Sequence, residues 1–78
     1  MIDDGGEIYV FVETNDGEKY KGTSYYPSDF RNFIRIFDVS KYCCKEQKWI
    51  SLPYEIIIPF NRISIIKMRD IIDGEINE

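Results

Sequence analysis

Three consecutive pieces decide the fold: Ile8-Tyr9-Val10-Phe11-Val12-Glu13, then Asn15-Asp16-Gly17, then Lys19-Tyr20-Lys21-Gly22-Thr23-Ser24. In the first, Ile8, Val10 and Val12 alternate with Tyr9, Phe11 and Glu13, the period of two that belongs to a strand, here apolar on much of both faces. Asn, Asp and Gly tolerate the positive φ of a tight reversal, so the second piece marks a hairpin. The return strand, Glu18 to Tyr26, sets Tyr20, Gly22 and Ser24 on one face and Lys19, Lys21 and Thr23 on the other. A glycine inside a strand marks a bend or a bulge. Such bends let a small sheet curl.

Working outward, Tyr26-Pro27-Ser28-Asp29 ends the second strand, and a third is expected from about Asn32 to Tyr42. Its Ile34 and Ile36 share one face; Phe33, Arg35, Phe37 and Val39 share the other. Residues 43–48 read as a polar turn or strand ends. A fourth strand spans Trp49 to Ile58, but Pro53 cannot donate to a ladder, so this is either an edge or two short pieces joined by a kink. Pro59-Phe60-Asn61-Arg62 reads as one tight turn and Ile63 to Met68 as a short fifth strand. No window holds a helical period, and there is no internal repeat or low-complexity stretch. The expected class is all-β: a small five-stranded, strongly bent barrel, since closure removes exposed edges. A meander packed on a partner is the alternative. The core falls at about residues 7–69, and the acidic, weakly periodic stretch 70–78 is expected to fray.

Composition narrows the function. The 78 residues allow a single domain, and a chain of this size buries only roughly 60% of the surface it exposes when unfolded. At 44% hydrophobic and 15% aromatic it is too apolar for disorder over most of its length. It has no histidine, the side chain suited to proton transfer near neutral pH. It also has no glycine-rich phosphate cradle and no Gly-x-Ser-x-Gly elbow. Hence no enzyme, no cofactor and no metal site is expected. Cys43 and Cys44 are adjacent, a spacing at which a bridge is strained, and two thiols without histidine fall short of a zinc site. They read as free thiols in a reducing cytosol, against a redox pair or a metal shared between subunits. The first residues carry no basic, apolar leader. The longest apolar runs, such as Ile56-Ile57-Ile58, fall far short of the ~20 residues of a spanning helix. A cytoplasmic protein with no membrane partner is expected.

The formal charge of −4 is the sum of unlike blocks. Residues 1–18 hold six acids and no base, and residues 70–78 four acids and no base. Residues 19–69 hold all ten bases and only Asp29, Asp38, Glu46 and Glu55, a net +6. An acidic total therefore does not exclude an anionic partner. It requires the site to be local.

The segment from Asp16 to Asp38 carries a family resemblance. Asp16-Gly17, Tyr20-Lys21-Gly22, Phe30-Arg31-Asn32, Ile34 and Ile36 fall in a pattern that resembles the first motif of the Sm/Lsm family. There a second-strand glycine is followed ten residues on by an asparagine, with an acid before it and a ring two residues ahead. Gly22 to Asn32 and Phe30 keep that spacing, while Asp29 is offset by one position. The resemblance implies a five-stranded, strongly bent Sm-like or SH3-like barrel that assembles into rings. It implies that Asn32 hydrogen-bonds a base edge, that Phe30 stacks on the base, and that Asp29 orients Asn32 or holds the loop. The second family motif departs: Ile56-Ile57-Ile58 is followed by Pro59-Phe60, where the family has Arg-Gly. Arg62 and the Phe60 ring lie nearby but off that place. Only about seven residues precede the first strand, too few for the family's N-terminal helix.

Each residue also has a plainer reading. Phe30 suits a hydrophobic plug under a loop, Asn32 suits a bond to its own backbone, and Ser28-Asp29 suits ordinary turn chemistry. Two functions follow. One is a non-enzymatic homo-oligomer taking a nucleotide base, free or in single-stranded RNA, through Phe30, Asn32, Asp29, Arg31 and Arg62 near a subunit interface. The other is a protein-interaction adaptor or inhibitor that docks through Tyr/Trp surface or acidic ends, with no nucleic-acid role.

Overall fold

Alternation of inward and outward side chains builds the sheet strand by strand. The computed structural model describes residues 6–26, 28 and 30–70. Pro27, Asp29, the acidic start and the tail beyond Asp70 lie outside the described residues, so the expectations on them do too. β1 (Gly6–Thr14) turns Ile8, Val10, Val12 and Thr14 inward. It pairs with β2 (Lys19–Tyr26) as an antiparallel hairpin in which Val10 faces Gly22 and Val12 faces Tyr20. Gly17, at φ 89°, supplies the positive φ of the turn.

β3 (Phe33–Cys43) follows on β2, then the short β4 (Lys48–Ser51) and β5 (Ile56–Pro59), a 3-10 turn (Phe60–Arg62) and β6 (Ile63–Asp70). Pro53 separates β4 from β5: the fourth strand is two pieces, and the described strands number six rather than five. The ladder order is β4-β3-β2-β1-β6, with β5 also on β3, and every pairing is antiparallel. The fold is all-β. Among the described residues no ladder joins β6 to β4 or β5, so hydrogen bonding leaves edges at both ends of the sheet.

One hydrophobic core is shared by strands from both ends of the sheet. Ile8, Val10 and Val12 from β1 pack with Ile34, Ile36 and Val39 from β3 and Ile58 from β5; Ile63 and Ile66 pack against that cluster. Gly22 lies where the β2–β3 register shifts, at a close approach of β3 to β2. A Cβ there would strike the Phe37 carbonyl oxygen and stand 2.6 Å from Ile36 Cγ2. One face assignment needs correction. Val39 was expected opposite Ile34 and Ile36, yet it is buried with them. Asp38, at φ 52°, adds an extra residue to β3 where the register with β2 slips between Lys21 and Thr23, and this bulge turns Val39 inward.

Candidate functional site

The register of β5 sets the first candidate site. Phe33 pairs with Pro59, so the residue before β3 lies beside the residue after β5. The Phe60 N–H donates to the Asn32 carbonyl at 3.1 Å. Just upstream, the Arg31 N–H donates to the Phe33 carbonyl and Phe30 bridges to Ile34, which holds the 30–34 loop in a tight curl. The rings line up in sequence: Tyr26 stands edge-on to Phe30 at 5.1 Å, and Phe30 lies 6.3 Å from Phe60.

Of the residues singled out from the sequence, Phe30 and Asn32 therefore meet at one junction, with Phe60 as their neighbour. Phe30 is half-buried against the core, so it props the loop as well as lending a ring. Phe60 is the more open ring. Asn32 is exposed, and among the described residues its side-chain amide has no hydrogen-bond partner. Its backbone carbonyl is the acceptor for Phe60. Arg31 is exposed on the same loop. Asp29 lies outside the described residues.

Arg62 ends the 3-10 turn on a different neighbour. Its carbonyl accepts from the Asn15 N–H at 2.8 Å, and the Asn15 side chain donates to the Asn61 carbonyl at 3.0 Å. The β1–β2 hairpin thus clamps the 3-10 turn through Asn15. Within the hairpin, Thr14 Oγ1 donates to Asp16 Oδ1 at 2.6 Å and accepts from the Glu18 N–H at 3.1 Å. The Thr14 hydroxyl, the Asp16 backbone and, more weakly, the Arg62 charge hold the Asp16 carboxyl below the usual carboxylate range, against a small opposing effect of burial.

The second candidate is the outward face of the sheet, which the sequence reading did not single out. Outward from β1 come Tyr9 and Phe11. Across from them lie Thr23 and Lys21 of β2 and Arg69 and Lys67 of β6. Trp49 of β4 meets Phe11 edge-on at 6.2 Å and Tyr42 at 5.4 Å. Each of four bases rides over a ring: Lys21 over Trp49 at 4.4 Å, Arg69 over Tyr9 at 5.6 Å, Lys67 over Phe11 at 5.7 Å and Lys19 over Tyr42 at 6.0 Å. A groove of about 940 Å³ runs along this face, lined also by Glu7, Asp38 and Ser40. The signal was available in the shared parity of Tyr9 and Phe11 with Lys19 and Lys21. Placing Lys67 and Arg69 beside them required the β1–β6 register.

Other chemistry is sparse. Cys43 is half-buried at the end of β3 and Cys44 exposed in the next turn, both as free thiols. Among the described residues no cluster of three or more Cys, Asp or Glu is placed to hold a metal ion. Nor is any helix long and apolar enough to cross a membrane. Comparison of the chain with protein-family models, with curated proteins and with solved structures finds no significant match.

Proposed function

We propose that this protein is a non-enzymatic, Sm-like oligomeric binding module that takes a nucleotide base, free or within single-stranded RNA, at the junction of the 30–34 loop and the Phe60–Arg62 turn. The observation that carries the reading is the Phe60-to-Asn32 backbone hydrogen bond. It brings the loop of the first family-like motif against the turn where the family places its second. Among the described residues the Asn32 amide is left unspent, and it can give and accept hydrogen bonds on a base edge. Phe60 offers the open ring, backed by Phe30, and rings of this kind stack on any base. Arg31 supplies positive charge beside them. Pro59-Phe60 in place of Arg-Gly removes the family's second clamp, so a weaker grip on the base is expected than that pair would give.

Oligomer formation is supported by the two ladder edges. β6 has only β1 as a ladder partner among the described residues, while β4 and β5 form the opposite side. Ile57 and Ile65, on those edge strands, are both well exposed. An unpaired edge with exposed apolar side chains is a template for another chain. Native mass spectrometry of protein purified without nuclease tests both halves of the reading. A homo-oligomer carrying nucleotide or RNA mass is expected; a bare monomer at micromolar concentration counts against it.

A further inference from the structure

The geometry points to a second nucleic-acid surface: the outward face of β2, β1 and β6 carries the sugar–phosphate strand of a single-stranded nucleic acid, independently of base capture at Asn32. It rests on the nucleic-acid reading above but uses none of the same residues.

Along β1 the outward positions read Glu7, Tyr9, Phe11, Glu13, with acids at the two ends and rings in the middle. The middle is flanked on both sides by bases, Lys21 on β2 and Lys67 and Arg69 on β6, by cross-strand register. The positive charge is therefore gathered in a band across the strands, over Tyr9, Phe11 and Trp49, and bounded by acids. All three of these bases are exposed and rest on ring faces rather than in ion pairs; the ion pairs present among the described residues join other side chains.

That arrangement suits a flexible polyanion. A base that stacks on Phe11 or Trp49 displaces the ammonium group from the ring, and the released group reaches the neighbouring phosphate. Cations and rings exchange partners without a backbone change. Pairing of ring and cation at each step is the pattern of sequence-tolerant single-strand binding. An acidic protein segment would meet the cations but leave the rings with nothing to stack, which is why the nucleic acid is favoured.

Fluorescence anisotropy with a fluorescein-labelled oligouridylate, run over a salt series, tests the inference on the full-length chain. The double variant Lys67→Gln/Arg69→Gln is expected to bind roughly tenfold more weakly, with the slope of log affinity against log salt shallower by about 0.7 for each phosphate that is no longer neutralised. Phe11→Leu removes the ring but keeps an apolar side chain at this half-buried position, and is expected to weaken binding with no change in slope. Thermal melting checks that each variant folds. Unchanged affinity and slope in the double variant overturns the inference. So does a polyglutamate peptide that competes as well as the oligouridylate. Asn32→Ala separates the two sites: it should lower affinity without touching the salt slope. If it alone abolishes binding, the face has no role; if it has no effect while the double variant does, base capture at Asn32 fails and the face remains.

Discussion

The carbonyl of Asn32 and the N–H of Phe60, 28 residues apart in sequence, close on each other at 3.1 Å. This bond spends the backbone of Asn32 and leaves its side chain to the solvent. It joins the loop before β3 to the turn after β5 at the point where the β3–β5 ladder ends. Whatever this junction binds, the proposed contact group and its structural anchor are different atoms of one residue. They can be perturbed separately.

Gly22 is held by space rather than by φ. Its absent Cβ leaves room for the Phe37 carbonyl and the Ile36 side chain, both backed by the core. Gly22→Ala is expected to cost about 1–3 kcal/mol through overpacking, read as a lower urea midpoint at unchanged slope. Wild-type stability in this variant would mean that β3 does not cross β2 so closely.

Asp38 sits at φ 52° and creates the bulge that buries Val39. Asp tolerates this region better than most residues. Asp38→Gly is therefore expected to be close to neutral, while Asp38→Val should cost about 1–2 kcal/mol. Equal stability of the two variants in chemical denaturation would remove the bulge from the account.

Asn15 clamps the 3-10 turn through its side-chain bond to the Asn61 carbonyl. Asn15→Ala leaves the backbone bond to Arg62 in place and is expected to cost about 0.5–1.5 kcal/mol. Faster amide exchange should appear at Ile63, whose N–H donates back to the Phe60 carbonyl. No change in that exchange would show that the turn is held without the clamp.

Tyr20 titrates late. Burial first, then its 2.8 Å hydrogen bond to Glu18 Oε1, pushes its hydroxyl up to about 12. The folded chain thus keeps a proton that the unfolded chain releases near pH 10. Stability from this group is complete below pH 10 and is lost as pH rises from 10 towards 12. Tyr20→Phe should remove the most alkaline step from the tyrosinate absorbance titration and flatten the alkaline loss of stability. An unchanged titration would place Tyr20 in solvent.

Much of the fold was legible because it rests on local chemistry. The period of two in Ile8–Glu13, the Asn15-Asp16-Gly17 reversal and the interruption at Pro53 each act within a few residues. Val39 was misplaced because a bulge at a tolerant residue such as Asp38 leaves no mark in the alternation. The Phe30–Asn32 cluster was visible as spacing, but its neighbour Phe60 depends on the Phe33–Pro59 register. The basic and aromatic face was hidden for a similar reason. Its rows come from β1, β2 and β6, and β6 lies at the far end of the chain.

The most direct test of base capture is the affinity of Asn32→Ala for short oligoribonucleotides, measured by anisotropy alongside its melting curve. Because among the described residues Asn32 lends the fold only its carbonyl, the variant should melt with the wild type and bind roughly tenfold more weakly, the loss of about one hydrogen bond. Wild-type affinity in a normally folded Asn32→Ala protein would contradict the account.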